Sequence, residues 1–475
     1  MDLRRFRHVL LIAICALGAA SLPQMHVGAV SSQAAGQAIS EAAILGHLEF
    51  LASDALQGRG SGTRDEEIAA TYVGAFFRRI GLESMLDAGG YVERIEVIRD
   101  AASAPPTMRV GDRQWAHGTG VLISSLGGAR TSGPLHHFKA GGTVPAGAVV
   151  VMPPPEPDAS TGSRAGARPV PAPAGAGAIL SLASAQAMNS WAAAAARPVS
   201  AGTRLGGVTT TATRAARVTL DADTYAAISA MPDGTPVVIE ATLASTSTYT
   251  WNVMGKLTGS DPAQRDEVLV LGAHIDHLGR QERAAGDDKI FNGADDDASG
   301  VVAVMELAAA LAQGPRPKRT VVFAGFGSEE AGGFGAGYFV DKPVVPHDAM
   351  IAQLQFEMLG RPDPMVPAEH LWLTGFERSN LGAELARRGA RLVNDPRPEQ
   401  SFFTRSDNIR FARQGIVAHT VSSFNLHSDY HKVSDEVSTV NIAHMTRSIQ
   451  SMLEPIRWLA NSTFRPAWAP GGRPQ

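Results

Sequence analysis

A chain of 475 residues, 44% hydrophobic and 19% charged, is long enough for two or three domains with large cores. Its formal net charge is only −4, and no basic block longer than a few residues follows the N-terminus, which excludes nucleic acid and other polyanions as partners. The only cysteine is Cys15, near the N-terminus.

Arg4, Arg5 and Arg7 precede the apolar run "VLLIAICALGAA" from Val9 to Ala20, and Ala16, Gly18 and Ala19 are small enough to suit a peptidase cut nearby. The run is shorter than the roughly 20 residues a bilayer span needs. Residues 1–29 therefore read as a signal peptide and leader, and the mature protein as secreted or periplasmic, with no membrane attachment after cleavage. Because Cys15 lies inside that run, the mature chain has no disulfide and no thiol nucleophile, and any metal site must be built from His, Asp and Glu.

Residues 40 to 85 read as two helices joined by the glycine loop "GRGSGTRDE", with Ala69, Tyr72, Val73, Phe76 and Phe77 at helical spacing; this part reads as scaffold. Between about 105 and 245 the composition shifts to Ala, Gly, Thr and Pro. Short β-rich runs such as "GAVVVM" and "TPVVIEATL" occur there, with one Ala-rich helix, "SAQAMNSWAAAAA", and a Pro/Gly stretch expected to be an exposed loop. This segment reads as a small inserted domain, between residues 30–104 and 246–462 of the main domain, with 463–475 as a tail.

From about 250 apolar strands alternate with amphipathic helices: "EVLVLGA", "GVVAVMELAAALA", "RTVVFAGFG", "MIAQLQFEML", "LGAELARRGA", "GIVAHTV" and "NIAHMTRSIQSMLEPIRWLA". The pattern predicts an α/β fold, a mostly parallel mixed sheet flanked by helices, whose ligands bind beyond the carboxyl ends of the strands. Those ends carry the titratable residues. "EVLVLGA" runs into His274, Ile275, Asp276 and His277; "RTVVFAGFG" leads through Ser328 into Glu329 and Glu330; "MIAQLQF" leads into Glu357. Asp295, Asp296 and Asp297 stand before "GVVAVMELAAALA", and "LHSDYHKVSD" supplies His431 and Asp435.

One Asp suffices to cap a helix, and a lone His near a strand end is ordinarily a hydrogen-bonded structural residue. The joint occurrence at the strand ends points further. Imidazoles and several carboxylates converging on one sheet edge would repel and desolvate one another unless cations lay among them. Imidazole plus carboxylate without thiolate suits zinc, and two ions could share a bridging carboxylate.

In order, the motifs "GAHIDHLG", "NGADDDASG", "GSEEAGGFGA", "QFEMLGR", "SDNIRFARQGI" and "DYHKVSDE" resemble those of the co-catalytic zinc aminopeptidase family, whose relatives include bacterial leucyl aminopeptidases, aminopeptidase Y and glutamate carboxypeptidases. The segment 105–245 resembles, more loosely, the protease-associated domain that many members carry as an insertion. The resemblance implies two zinc ions bridged by Asp296, one completed by His274 and Glu357, the other by Glu330 and His431. It further implies that Asp276 orients the His274 ring, that Glu329 is the general base, and that Asp295 and Asp297 support the loop and cap the next helix. Relatives usually show Asp where Glu357 stands. The implied activity is exopeptidase hydrolysis of peptides from the amino end by a metal-activated water. The alternatives are a carboxypeptidase, with Arg405 on the substrate carboxylate, a glutaminyl cyclase-like enzyme on the same site, or an inactive binding protein. No G-x-S-x-G elbow, H-E-x-x-H helix or strand-linked G-x-G-x-x-G occurs.

Overall fold

The computed structural model describes residues 39–139, 141–154, 173–208 and 214–475. The signal-like N-terminus with Cys15 and most of the Pro/Gly stretch lie outside the described residues. Helix α1, Glu41–Leu51, begins where the Ser40 side chain accepts from the Ala43 N–H at 3.2 Å. Helix α2, Arg64–Arg79, opens on a reciprocal cap: the Thr63 hydroxyl accepts from the Glu66 N–H, and the Glu66 carboxylate accepts from the Gly62 N–H at 2.7 Å. Asp65, Glu66 and Glu67 fill its first turn and Arg78 and Arg79 its last, both matching the helix dipole. Ala69, Val73, Phe76 and Phe77 are buried on one face, as their spacing predicts, and Tyr72 is half-buried.

The strands that position the site are β1 (Val92–Ala102), β2 (Leu243–Leu257), β3 (Val268–His274), β4 (Thr320–Phe326), β5 (Met350–Phe356), β6 (Leu371–Leu373), β7 (Leu392–Asn394) and β8 (Ala418–Ser422). Their order across the sheet is β1-β2-β4-β3-β5-β8-β6-β7. The four central strands β4, β3, β5 and β8 are parallel, while β2 and β6 join antiparallel. Every residue of β3, β4 and β5 is buried, the continuous apolar run expected of strands covered on both faces. Helix α3, Gly300–Ala312, is buried almost all round, so it lies inside the main core rather than on its surface. This is the expected mostly parallel α/β architecture.

The segment between β1 and β2 gathers its own apolar cluster, which includes Met108, Val110, Ile123, Leu180, Val218 and Ile239. The Ala-rich run expected as one helix is instead two single turns, Ala185–Asn189 and Trp191–Ala195. Ser190 stands at the break, its hydroxyl donating to the carbonyls of Gln186 and Ala187 and so competing with the helical ladder.

Candidate metal centre

Parallel pairing brings the ends of β3, β4 and β5 to one edge, with His274 level with Phe326 and Gly272 level with Gln355. His274 ends β3, Glu329 and Glu330 follow β4, and Glu357 follows β5. The Asp triplet forms an irregular turn, Ala294–Ser299, entered through Gly293 in the left-handed region at φ 59° and containing a cis Asp296–Asp297 peptide. Asp296 lies between two groups of donors. Its Oδ1 is 3.2 Å from His274 Nε2, and Glu357 completes that group. Its Oδ2 is 3.2 Å from His431 Nε2, which is also 3.2 Å from Glu330 Oε1. All five residues that the resemblance offers as metal ligands therefore meet.

A sixth joins them. His277, fully buried, places Nδ1 2.9 Å from Glu330 Oε1 and 3.7 Å from Asp296 Oδ2. The motif resemblance assigns His277 no role, although it stands in the same "HIDH" as His274.

The surrounding residues fix the loops. The carboxylate of Asp276 accepts from the Glu329 N–H at 2.9 Å, the Glu330 N–H at 3.3 Å and the Ser61 hydroxyl. The His274 ring Nδ1 is closer to the Asp276 carbonyl, at 3.1 Å, than to its carboxylate, at 3.7 Å. Both the main chain and the side chain of Asp276 thus face the ring, and the side chain also secures the glutamate turn. Asp297 accepts from the His274, Gly300 and Met358 amides, tying β3, α3 and the end of β5 together. Asp295 accepts from the Gly360 amide at 2.7 Å, and Asp435 receives the amides of Asp295 and Asp296, each at 3.1 Å.

Residues 40 to 85 are more than scaffold. Arg59, buried in the glycine loop, donates to the carbonyls of Leu51, Ile275, Asn292 and Gly293, strapping the loop to both site segments. No periodicity marks such a residue, because its partners are main-chain carbonyls from distant segments.

The electrostatics express crowding. Burial, with Asp407, Glu357 and Glu330 nearby, pushes Glu329 well above the usual carboxylate range against the pull of His274. Burial, with Asp296 and Glu330, raises Glu357 to about 7 despite His274. Burial opposes ionisation of both Asp296 and His274, yet the histidines hold Asp296 well below its ordinary value, and the carboxylates hold His274 well above its own. His277 Nδ1 and Nε2, Glu330 Oε1 and Glu357 Oε2 are buried without a hydrogen-bond partner among the described residues. Unpartnered imidazole and carboxylate atoms around a shared carboxylate fit divalent cations, zinc foremost.

The mixed sheet thus carries at its carboxyl edge two donor groups that share one carboxylate, an arrangement that suits divalent cations. Residues 252–455 match the model of peptidase family M28. The chain is 31% identical over 125 residues to leupeptin-inactivating enzyme 1 of Streptomyces exfoliatus, a match covering 26% of each protein. It is 39% identical over 87 residues to a probable zinc metalloprotease of Leptosphaeria maculans, covering 18% of this chain and 19% of that one. These matches thus span about a quarter or less of the curated relatives' lengths. An aminopeptidase from Aneurinibacillus sp. strain AM-1 shares the fold, with a TM-score of 0.51 at 17% identity over 89% of this chain and 94% of that one. Among the described residues no helix is long and apolar enough to cross a membrane.

Proposed function

We propose that the protein is a zinc-dependent exopeptidase, an aminopeptidase that removes N-terminal residues from peptides, with two ions held by His274, Asp296, Glu330, Glu357 and His431. The observation that carries this reading is the division of Asp296, one oxygen on His274 and the other on His431. A carboxylate serving only one histidine would not need both faces. When bound, zinc supplies Lewis acidity, bringing the pKa of a water from 15.7 towards ~7 and polarising a carbonyl.

The chain's own residues do the rest. A Glu329 carboxylate oxygen takes the proton of the attacking water and returns it to the leaving amine. Asp276 holds the amides of Glu329 and Glu330 and so fixes where that carboxylate stands. A cavity beside Glu357, lined by Met358, Trp372, Phe402, Phe424 and Tyr430, receives an apolar side chain of the substrate. The excess of carboxylates favours a free amine there. Arg405 also lines this cavity, with its guanidinium 5.0 Å from the Phe402 ring centre, and is the residue a carboxypeptidase reading would use. We further infer that residues 105–245 are an inserted protease-associated domain, supported by their separate core, and that the N-terminus directs secretion.

Metal analysis paired with amino-acid anilides tests the reading. Two zinc ions per chain and fastest hydrolysis of leucine or phenylalanine anilide are expected, with amino-blocked peptides refused. Activity that survives exhaustive chelation would sink it, and cleavage of amino-blocked peptides from the carboxyl end would transfer the assignment to a carboxypeptidase.

A further inference from the structure

His277 has no part in the ligand set above, and its surroundings are hard to account for as packing. The ring is 0% exposed, and neither nitrogen has a hydrogen-bond partner among the described residues. Nδ1 stands 2.9 Å from Glu330 Oε1 without hydrogen-bond geometry, and that oxygen is itself without a hydrogen-bond partner. Leaving such atoms buried and unpaired is costly. The chain nevertheless makes room for the ring: a Cβ on Gly293 would lie 2.5 Å from His277 Cγ. It also anchors the backbone, since the His277 amide donates to the Arg59 carbonyl at 3.1 Å.

We propose that His277 Nδ1 is a fourth protein donor to the ion beside Glu330, so that His277, Asp296, Glu330 and His431 enclose that ion while only His274, Asp296 and Glu357 hold the other. The assignment rests on the two-ion reading. Donors sharing a tetrahedral zinc at about 2.0–2.2 Å stand roughly 3.3–3.6 Å apart. The four separations available, 2.9, 3.2, 3.2 and 3.7 Å, bracket that spacing. Structural zinc sites are closed by four protein ligands, whereas catalytic sites keep one position open. The pair is therefore unequal: the Glu330 side is closed and retentive, and exchange with solvent or substrate belongs to the Glu357 side.

Two measurements test this without recourse to activity. In full-length protein loaded with cadmium-113, correlation of each metal signal with imidazole ring protons should couple one ion to two histidines and the other to one; a single histidine on each ion would overturn the proposal. His277→Asn should bind its more tightly held ion about 100-fold or more weakly in chelator competition, above the roughly 10–100-fold typical of residues that only orient a ligand. Unchanged affinity in a folded variant would overturn the assignment, and if the variant fails to fold the coupling pattern of the native protein decides. Wild-type protein that takes up fewer than two ions would instead sink the two-ion reading itself.

Discussion

At the scale of single residues, Glu329 carries the heaviest chemical assignment and offers the cleanest separation of roles. Its carboxylate is proposed to move protons, not to hold zinc, so Glu329→Gln should lower kcat by about 10²-fold or more while metal content stays unchanged. Parallel assay and metal analysis check both halves. Gly293 makes a different demand. Its φ of 59° is left-handed, and a Cβ would fall 2.1 Å from the Asp296 carbonyl oxygen. Gly293→Ala should cost about 2 kcal/mol or more in urea unfolding, combining backbone strain with overpacking.

Much of the site was readable from residue order alone, because His274, Glu329, Glu330 and Glu357 follow apolar strands whose parallel pairing aligns their ends. His277 was not readable in that way. One residue past Asp276 it could equally face solvent, and only the turn through Gly293 and the bridge between Gly60 and His277 turn the ring inward. The placement of Asp276, with carbonyl and carboxylate both facing the ring and the carboxylate also on the glutamate turn, likewise depends on a backbone path that spacing does not encode.

At the scale of elements, the glycine loop between α1 and α2 was legible as a break and illegible as a clamp. Four carbonyls from three segments converge on the Arg59 guanidinium. Hydrogen bonds to a charged group contribute about 1.5–3 kcal/mol each, so Arg59→Met, which keeps the aliphatic stem, should destabilise by about 3 kcal/mol or more and loosen metal retention. Chemical denaturation together with metal analysis after dialysis would show it. A loss of stability with full metal retention would limit Arg59 to the fold. The Ala-rich segment shows the converse case: helix propensity favoured one continuous helix, and the chain breaks at Ser190, whose hydroxyl bonds back to two carbonyls of the preceding turn.

For the molecule as a whole, the alternation of apolar strands and amphipathic helices was enough to give the layer architecture, while the antiparallel joins at β2 and β6 come from tertiary pairing that no local pattern carries. Metal removal should lower the thermal midpoint, since an ion bound only by the folded state adds RT ln(1 + [L]/Kd) to stability. A calorimetric scan with and without chelator measures the shift.

Acid sensitivity should arise outside the metal-binding residues as well. Burial lowers His419 to about 4, with Arg378 adding to the effect and the Thr374 carbonyl opposing it. Its neutral ring donates from Nδ1 to that carbonyl at 2.7 Å, and Nε2 lies 2.6 Å from the Ser379 hydroxyl. A depressed value means the folded state resists protonation. The stability this contributes is complete above the unfolded value of 6.5 and is lost as pH falls towards 4, amounting to about 3 kcal/mol. Unfolding free energy measured across that window should slope less steeply in His419→Gln than in the wild type.

The long pairing of β1 with β2 runs from Val92 opposite Val253 to Ala102 opposite Leu243. Everything between enters and leaves through two neighbouring positions, roughly 5 Å apart as cross-strand partners are, a gap that a two-residue hairpin turn closes. On the reading of this segment as an insertion, such a doorway would let it be gained or lost at one point in the gene without shifting the register of the strands beneath, leaving the edge of β1 where Ser200–Leu205 pairs, and Phe334 and Tyr338 where Leu205 packs, to be covered.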